Sequence, residues 1–222
     1  MTKKLIITFS VFTLIFASCG RTTSRKSANE QSETTTLSTS LDGVVINGVR
    51  WATRNVDAPD TFAQNPEDAG MFFQWNRSRS WSASIPGAGV AVSGWDSSVP
   101  TGTTWEREND PCPEGWRVPT RIELQSLVDA GSIWVENWNN TGSNGRLFGT
   151  APNQIFLPAA GWRYDSPIRP IGALSRVGAW GFYWSSTPDF TTNAWQLGFY
   201  SGRVHVHWLW RSYGLSVRCV AE

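Results

Sequence analysis

Charge is the first thing this chain has little of. Lys and Arg total 19 and Asp and Glu 18, so 17% of the 222 residues are charged and the net charge is +1. No basic excess exists to attract nucleic acid, and no charge of either sign favours an acidic or basic partner. Histidine is scarcer still. The two present, His205 and His207, lie together with no third His, Cys or carboxylate close by in sequence. That setting argues against a metal site and against an imidazole-activated thiol. We therefore expect no catalytic residue, no metal and no cofactor. Helical periodicity is scarce, and no repeat of fixed period is present. The apolar run from Leu5 to Phe16 is too short for a comfortable transmembrane helix.

What is there divides the chain into three. Lys3 and Lys4, the run to Phe16, and then Ala17-Ser18 read as a signal peptide over residues 1–18. Cys19 directly after Phe16-Ala17-Ser18 resembles a bacterial lipobox, which implies lipidation at Cys19 and anchoring in the outer membrane, on the cell surface. Residues 19–41 are Ser, Thr, Asn and Gln with few apolar groups, a composition that cannot offset its own ordering entropy and reads as a tether. Residues 42–222 are enough for one domain with one core. Cys112 and Cys219 remain, and in an exported domain the first reading is a disulfide. Two buried thiols are the second reading.

Along the domain, Asn47-Gly48 between Val44-Val45-Ile46 and Val49-Arg50-Trp51 is a hairpin signal. Asn65-Pro66-Glu67-Asp68 reads as a helix start and Met71–Trp75 as a strand. Ser78–Thr104 reads as a long ordered loop tied down by Trp81 and Trp95. Thr120-Arg121-Ile122-Glu123 is a capping box, with Ile122, Leu124, Leu127 and Val128 as a buried stripe and Gly131 as the stop. Ile155–Gly161 and Gly181–Ser186 read as strands.

The C-terminal run carries the functional reading. Leu197 and Phe199 share one parity, and Gln196, Gly198 and Tyr200 the other. After Ser201-Gly202, Val204 and Val206 alternate with Arg203, His205 and His207. This is a hairpin with an apolar side and a contact-type side. Trp208–Ser212 shows no burial pattern and reads as a loop. Trp, Tyr and Arg are enriched at binding hot spots. The expected ligand-binding set is Trp195, Gln196, Gly198, Tyr200, Arg203, His205, His207, Trp208, Trp210 and Ser212. The plain alternative places Trp208 and Trp210 in the core.

Five ordered motifs carry a resemblance: Asn47–Asn55, Cys112–Thr120, Leu157–Gly161, Tyr183–Ser186 and Ser216–Val220. Together they resemble the Fibrobacter succinogenes major paralogous domain. The resemblance implies an α+β, C-type-lectin-like fold of the formylglycine-generating-enzyme subtype, loop-rich, with small antiparallel sheets and about two helices. It also supports pairing of Cys112 with Cys219. The C-terminal run is similar to variable proteins of diversity-generating retroelements from Bacteroides-type bacteria. In those proteins the positions corresponding to Gln196, Gly198, Tyr200, Arg203, His205, His207 and 208–212 are rewritten. The implied function is a surface-displayed binding module for a protein or glycan on another cell, a phage or a host surface. A structural envelope lipoprotein is the alternative. Enzymes of the formylglycine-generating type need an active-site cysteine pair, and the two cysteines here look structural.

Overall fold

The computed structural model describes residues 43–222. The signal segment, Cys19 and the tether fall outside the described residues. In chain order the elements are β1 (Gly43–Ile46), β2 (Val49–Ala52), β3 (Met71–Phe73), β4 (Ser80–Ser82), β5 (Trp116–Arg117), α1 (Arg121–Asp129), β6 (Ser132–Val135), β7 (Gly145–Thr150), β8 (Asn153–Pro158), β9 (Trp162–Arg163), β10 (Leu174–Ser175), β11 (Trp180–Asp189), β12 (Asn193–Tyr200), β13 (Arg203–Trp210) and β14 (Val220–Ala221). Single 3-10 turns lie at Arg107–Asn109 and Trp138–Asn140.

The first hairpin forms as its turn residues require. Asn47 and Gly48 both take positive φ, 48° and 80°, a backbone most side chains resist. The β2 strand then receives the end of the chain: the sheet order is β1-β2-β14-β5, with Val220 opposite both Trp51 and Arg117. Cys112 and Cys219 form a disulfide beside this junction, with Cα atoms 6.0 Å apart. The motifs around Asn47, Cys112 and Cys219 are thus one structural unit.

The helix α1 is held at its start by the expected capping box. The Glu123 N–H donates to Thr120 Oγ1 at 3.3 Å, and the Thr120 N–H donates to the Glu123 carboxylate at 2.7 Å. Arg117 grips the same carboxylate through two bonds, of 2.9 and 2.6 Å. Leu124 and Leu127 are buried, but Ile122 is 79% exposed and does not belong to the stripe.

Three further antiparallel groups complete the fold: β3-β4, β6-β7-β8 and β11-β12-β13, with a two-residue pair β9-β10. The strands β11 and β12 separate two packed clusters. Tyr183, Leu197 and Phe199 join Trp51, Phe148, Leu124 and Leu127. Phe182, Trp184 and Ala194 join Trp75, Trp116, Val217 and the disulfide. The period-two alternation of a strand lets one hairpin feed both.

The α+β, C-type-lectin-like expectation is overturned. Among the described residues there are fourteen strands, mostly in small antiparallel sheets, and one α-helix, so the fold is β-rich. The second helix fails at Asn65-Pro66-Glu67-Asp68, which closes as a tight turn. Asp68 Oδ2 accepts the Asn65 N–H at 2.8 Å, and the Asp68 N–H returns to Asn65 O at 3.2 Å. Gly70 follows at φ 65°, leaving too few residues to nucleate a helix. Two smaller corrections concern strands. Ser80–Ser82 pairs with Met71–Phe73 inside the expected loop, burying Trp81. Trp208, Leu209 and Trp210 are the end of β13, not a loop.

Candidate ligand-contact surface

The ladder between β12 and β13 is regular over its whole length, from Asn193 opposite Trp210 to Tyr200 opposite Arg203. Side chains therefore divide by parity. Trp195, Leu197, Phe199, Val204, Val206 and Trp208 point to the α1 side. Gln196, Gly198, Tyr200, Arg203, His205 and His207 point to the other. The division of the hairpin read from alternation is the one observed.

Two buried arginines fix the ends of this hairpin. At the turn, Arg146 donates from Nε to Tyr200 O at 3.2 Å and from Nη2 to Ser201 O at 3.0 Å. At the open end, Arg211 is 2% exposed and donates to four carbonyls: Asn193 (3.0 Å), Pro100 (3.2 Å), Gly102 (2.9 Å) and Phe190 (2.8 Å). Its guanidinium also lies 4.0 Å from the Trp75 ring centroid. Neither cation uses a carboxylate among the described residues, and burial lowers the pKa of both. Arg163 works alike elsewhere, donating to the carbonyls of Ser82, Ile85, Pro86 and Gly172 and so holding a loop. These arginines serve the backbone, and the exposed Arg203 and His207 take no part in those bonds.

On the polar side Gly198 is buried, and its neighbours leave no room for a larger side chain. A Cβ there would come within 2.9 Å of His205 Nε2 and 3.1 Å of Gln196 Oε1. Gln196 is only 2% exposed, yet its Oε1 has no hydrogen-bond partner, and neither has the buried Nδ1 of His205. Eight other buried polar atoms among the described residues, six of them Trp Nε1, share this state, so it does not single out a ligand site. Burial is the main cause holding the His205 pKa below that of a free imidazole, with Arg203 and His207 adding to it. At neutral pH the ring is uncharged and offers one donor and one acceptor.

An aromatic wall borders Gly198 and His205. Tyr200 packs on Trp180 with centroids 4.4 Å apart, Trp180 stacks on Phe182 at 5.9 Å, and Trp162 meets Phe182 edge-on at 4.7 Å. Trp180 and Phe182 were missed as site residues. Their signal was legible: Trp180, Phe182 and Trp184 repeat at period two, and only the pairing of Phe182 with Gly198 was lacking. Arg203 and His207 stand exposed at the rim.

Four residues of the expected set lie elsewhere. Trp195 is on the α1 side beneath Arg121, 3.6 Å from its ring centroid. Trp208, 40% exposed, sits opposite Trp195. Trp210, 47% exposed, packs against Tyr213 at 5.4 Å. Ser212 is buried, and its carbonyl accepts from Gln74 Nε2 at 2.7 Å. Among the described residues no three His, Cys, Asp or Glu side chains gather as a metal requires.

Comparison with known proteins gives one relationship. A family model described as the Lcl C-terminal domain matches residues 48–221, nearly the stretch that carries the five motifs. No curated protein and no solved structure matches.

Proposed function

The chain belongs to the Lcl C-terminal domain family, and from that premise we propose that it is a ligand-binding module held at the bacterial surface by a lipid on Cys19. Its contact surface is the accessible part of the polar side of the terminal hairpin and its neighbour: Trp180, Tyr200, Arg203, His205 and His207. The supporting observation is the half-buried Tyr200–Trp180 pair, centroids 4.4 Å apart, on the same side of the hairpin as the exposed Arg203 and His207. Binding is ordinary recognition without catalysis. The Tyr200–Trp180 wall loses water against the ligand, the His207 imidazole sets its orientation, and Arg203 adds charge at the rim. The ligand is a protein or glycan of another surface.

The test uses the full-length chain on an immobilised oligosaccharide panel and on a phage-displayed peptide library. Tyr200→Ala and Arg203→Ala are each expected to weaken whatever is captured at least tenfold, with the thermal midpoint unchanged. Capture that survives both substitutions, or no capture by either probe, overturns the reading.

The finer reading is that this surface is diversified by a retroelement. Its support is the separation of roles: buried arginines hold the hairpin backbone, so Tyr200, Arg203, His205 and His207 are replaceable without loss of the scaffold. Sequencing of this gene within one bacterial population is expected to find substitutions concentrated at 196, 198, 200, 203, 205 and 207, with Leu197, Phe199, Val204 and Val206 fixed. An even spread of substitutions along the gene, with no near-copy of the segment beside it, removes the retroelement.

A further inference from the structure

The strand β13 is the edge of its sheet, and its outer side carries no strand among the described residues. The backbone bonding shows what that edge offers. The Arg211 N–H donates to Thr192 O at 3.0 Å, one step beyond the pair Asn193–Trp210. Bonded pairs in an antiparallel ladder recur at every second residue. Arg203, His205, His207 and Leu209 are therefore the residues bonded to β12. The N–H and C=O groups of Val204, Val206, Trp208 and Trp210 point outward. Among the described residues only two of these groups are met: Trp210 O accepts from the Tyr213 N–H at 3.0 Å, and Trp208 O lies 3.0 Å from His207 Nδ1.

Soluble proteins guard such edges with Lys, Pro, inward charges, bulges or short strands. This one has a single charge, Arg203 at its first position, and no Lys, Pro or bulge. It is eight residues long, Arg-Val-His-Val-His-Trp-Leu-Trp, and pairs with β12 without a bulge.

We propose that the β13 edge pairs with the β13 edge of a second copy of this chain, antiparallel, about a two-fold axis perpendicular to the sheet. Such an axis keeps each residue on its own side of the sheet, so even-numbered positions meet even-numbered ones. Centred on Val206, the pairing sets Val206 opposite Val206 of the partner copy and Val204 opposite its Trp208. The outward groups of Val204, Val206 and Trp208 then form about six backbone hydrogen bonds. On the α1 side every cross-strand pair is apolar, and the exposed face of Trp208 gains a β-branched neighbour. On the other side His205 meets His207, and Arg203 falls opposite Leu209, so the two guanidiniums stay apart. This self-complementarity selects a second copy over an unrelated strand.

The geometry has a functional consequence that rests on the proposed contact surface, although the pairing does not. A perpendicular two-fold turns both polar sides in the same direction. Two contact surfaces then face one target together, and their weak affinities combine through effective concentration.

A single pair of strands is a small interface beside those of permanent dimers, so the experiment is a sedimentation series over concentration with the full-length chain in mild detergent. A monomer–dimer equilibrium is expected, with the amides of Val204, Val206 and Trp208 exchanging hydrogen more slowly as the dimer fills. Trp208→Lys is expected to abolish the dimer at unchanged thermal midpoint, while Tyr200→Ala leaves it intact and affects only capture of ligand. A monomer throughout overturns the proposal. So does a dimer that survives Trp208→Lys, or edge amides protected at every dilution, which would mean that residues before 43 cover the strand.

Discussion

Replacing Cys112 and Cys219 together by Ala is expected to cost about 4–5 kcal/mol of stability, from the loop-closure entropy of a cross-link spanning 107 residues. Small domains are stable by roughly 5–15 kcal/mol in all, so this loss leaves a substantial unfolded fraction on warming. The location makes the loss felt across the fold. Cys219 precedes β14, whose Val220 bridges β2 and β5, and Cys112 precedes β5. Both sulfurs lie in the cluster built on Trp116, Val217 and Trp184. Without the bond, a two-residue strand must find its place between β2 and β5 from an unconstrained chain. Guanidinium unfolding measures the effect: the midpoint falls, and the slope rises as the denatured state expands. A change below about 1 kcal/mol would mean that packing of Trp51, Trp116 and Val220 closes the junction without the covalent link.

Much of this arrangement is legible in the sequence because it is local. The Asn47-Gly48 turn, the Thr120–Glu123 capping box and the alternation from 196 to 207 each involve neighbours along the chain, and each forms as its residue types dictate. What escapes is decided by distant partners. Trp208 and Trp210 share one side while Leu209 packs on the other against a core cluster, so both sides are apolar and the strand character comes from pairing with β12. Asn65-Pro66 carries every sign of a helix start and then lacks the length to continue. The site is half legible for the same reason. Hairpin parity yields Tyr200, Arg203, His205 and His207 but does not reveal that Gln196 and Gly198 are buried, while Trp180 enters only through the register of β11 against β12. The buried arginines give no local signal at all. Arg146 and Arg211 look like surface residues until the carbonyls they serve are known, 54 to 55 and 18 to 111 positions away in sequence.

Arg211→Leu is expected to lower stability by about 3–5 kcal/mol, because four carbonyls lose their donor together. Leucine fills the space of the side-chain stem but leaves the carbonyls of Pro100, Gly102, Phe190 and Asn193 without their donor. Each unsatisfied buried acceptor costs roughly 1–3 kcal/mol. The groove beside Arg211, lined by Thr101, Thr103 and Thr191, admits water to some of them and keeps the sum below the simple total. Arg211→Lys is expected to recover little. One ammonium keeps the charge but cannot reach four carbonyls in a planar fork or stack on Trp75 as a guanidinium does. Arg203→Ala, on the same hairpin but exposed, should stay within about 0.5 kcal/mol. Urea unfolding followed by tryptophan fluorescence separates the three, since Trp75 reports directly on the lost stack. The contrast carries the functional argument as well. If Arg211 and Arg203 cost the same, the hairpin is not held from behind by the scaffold. Its exposed side chains would then not be free to change, and the case for a replaceable contact surface would lose its physical basis.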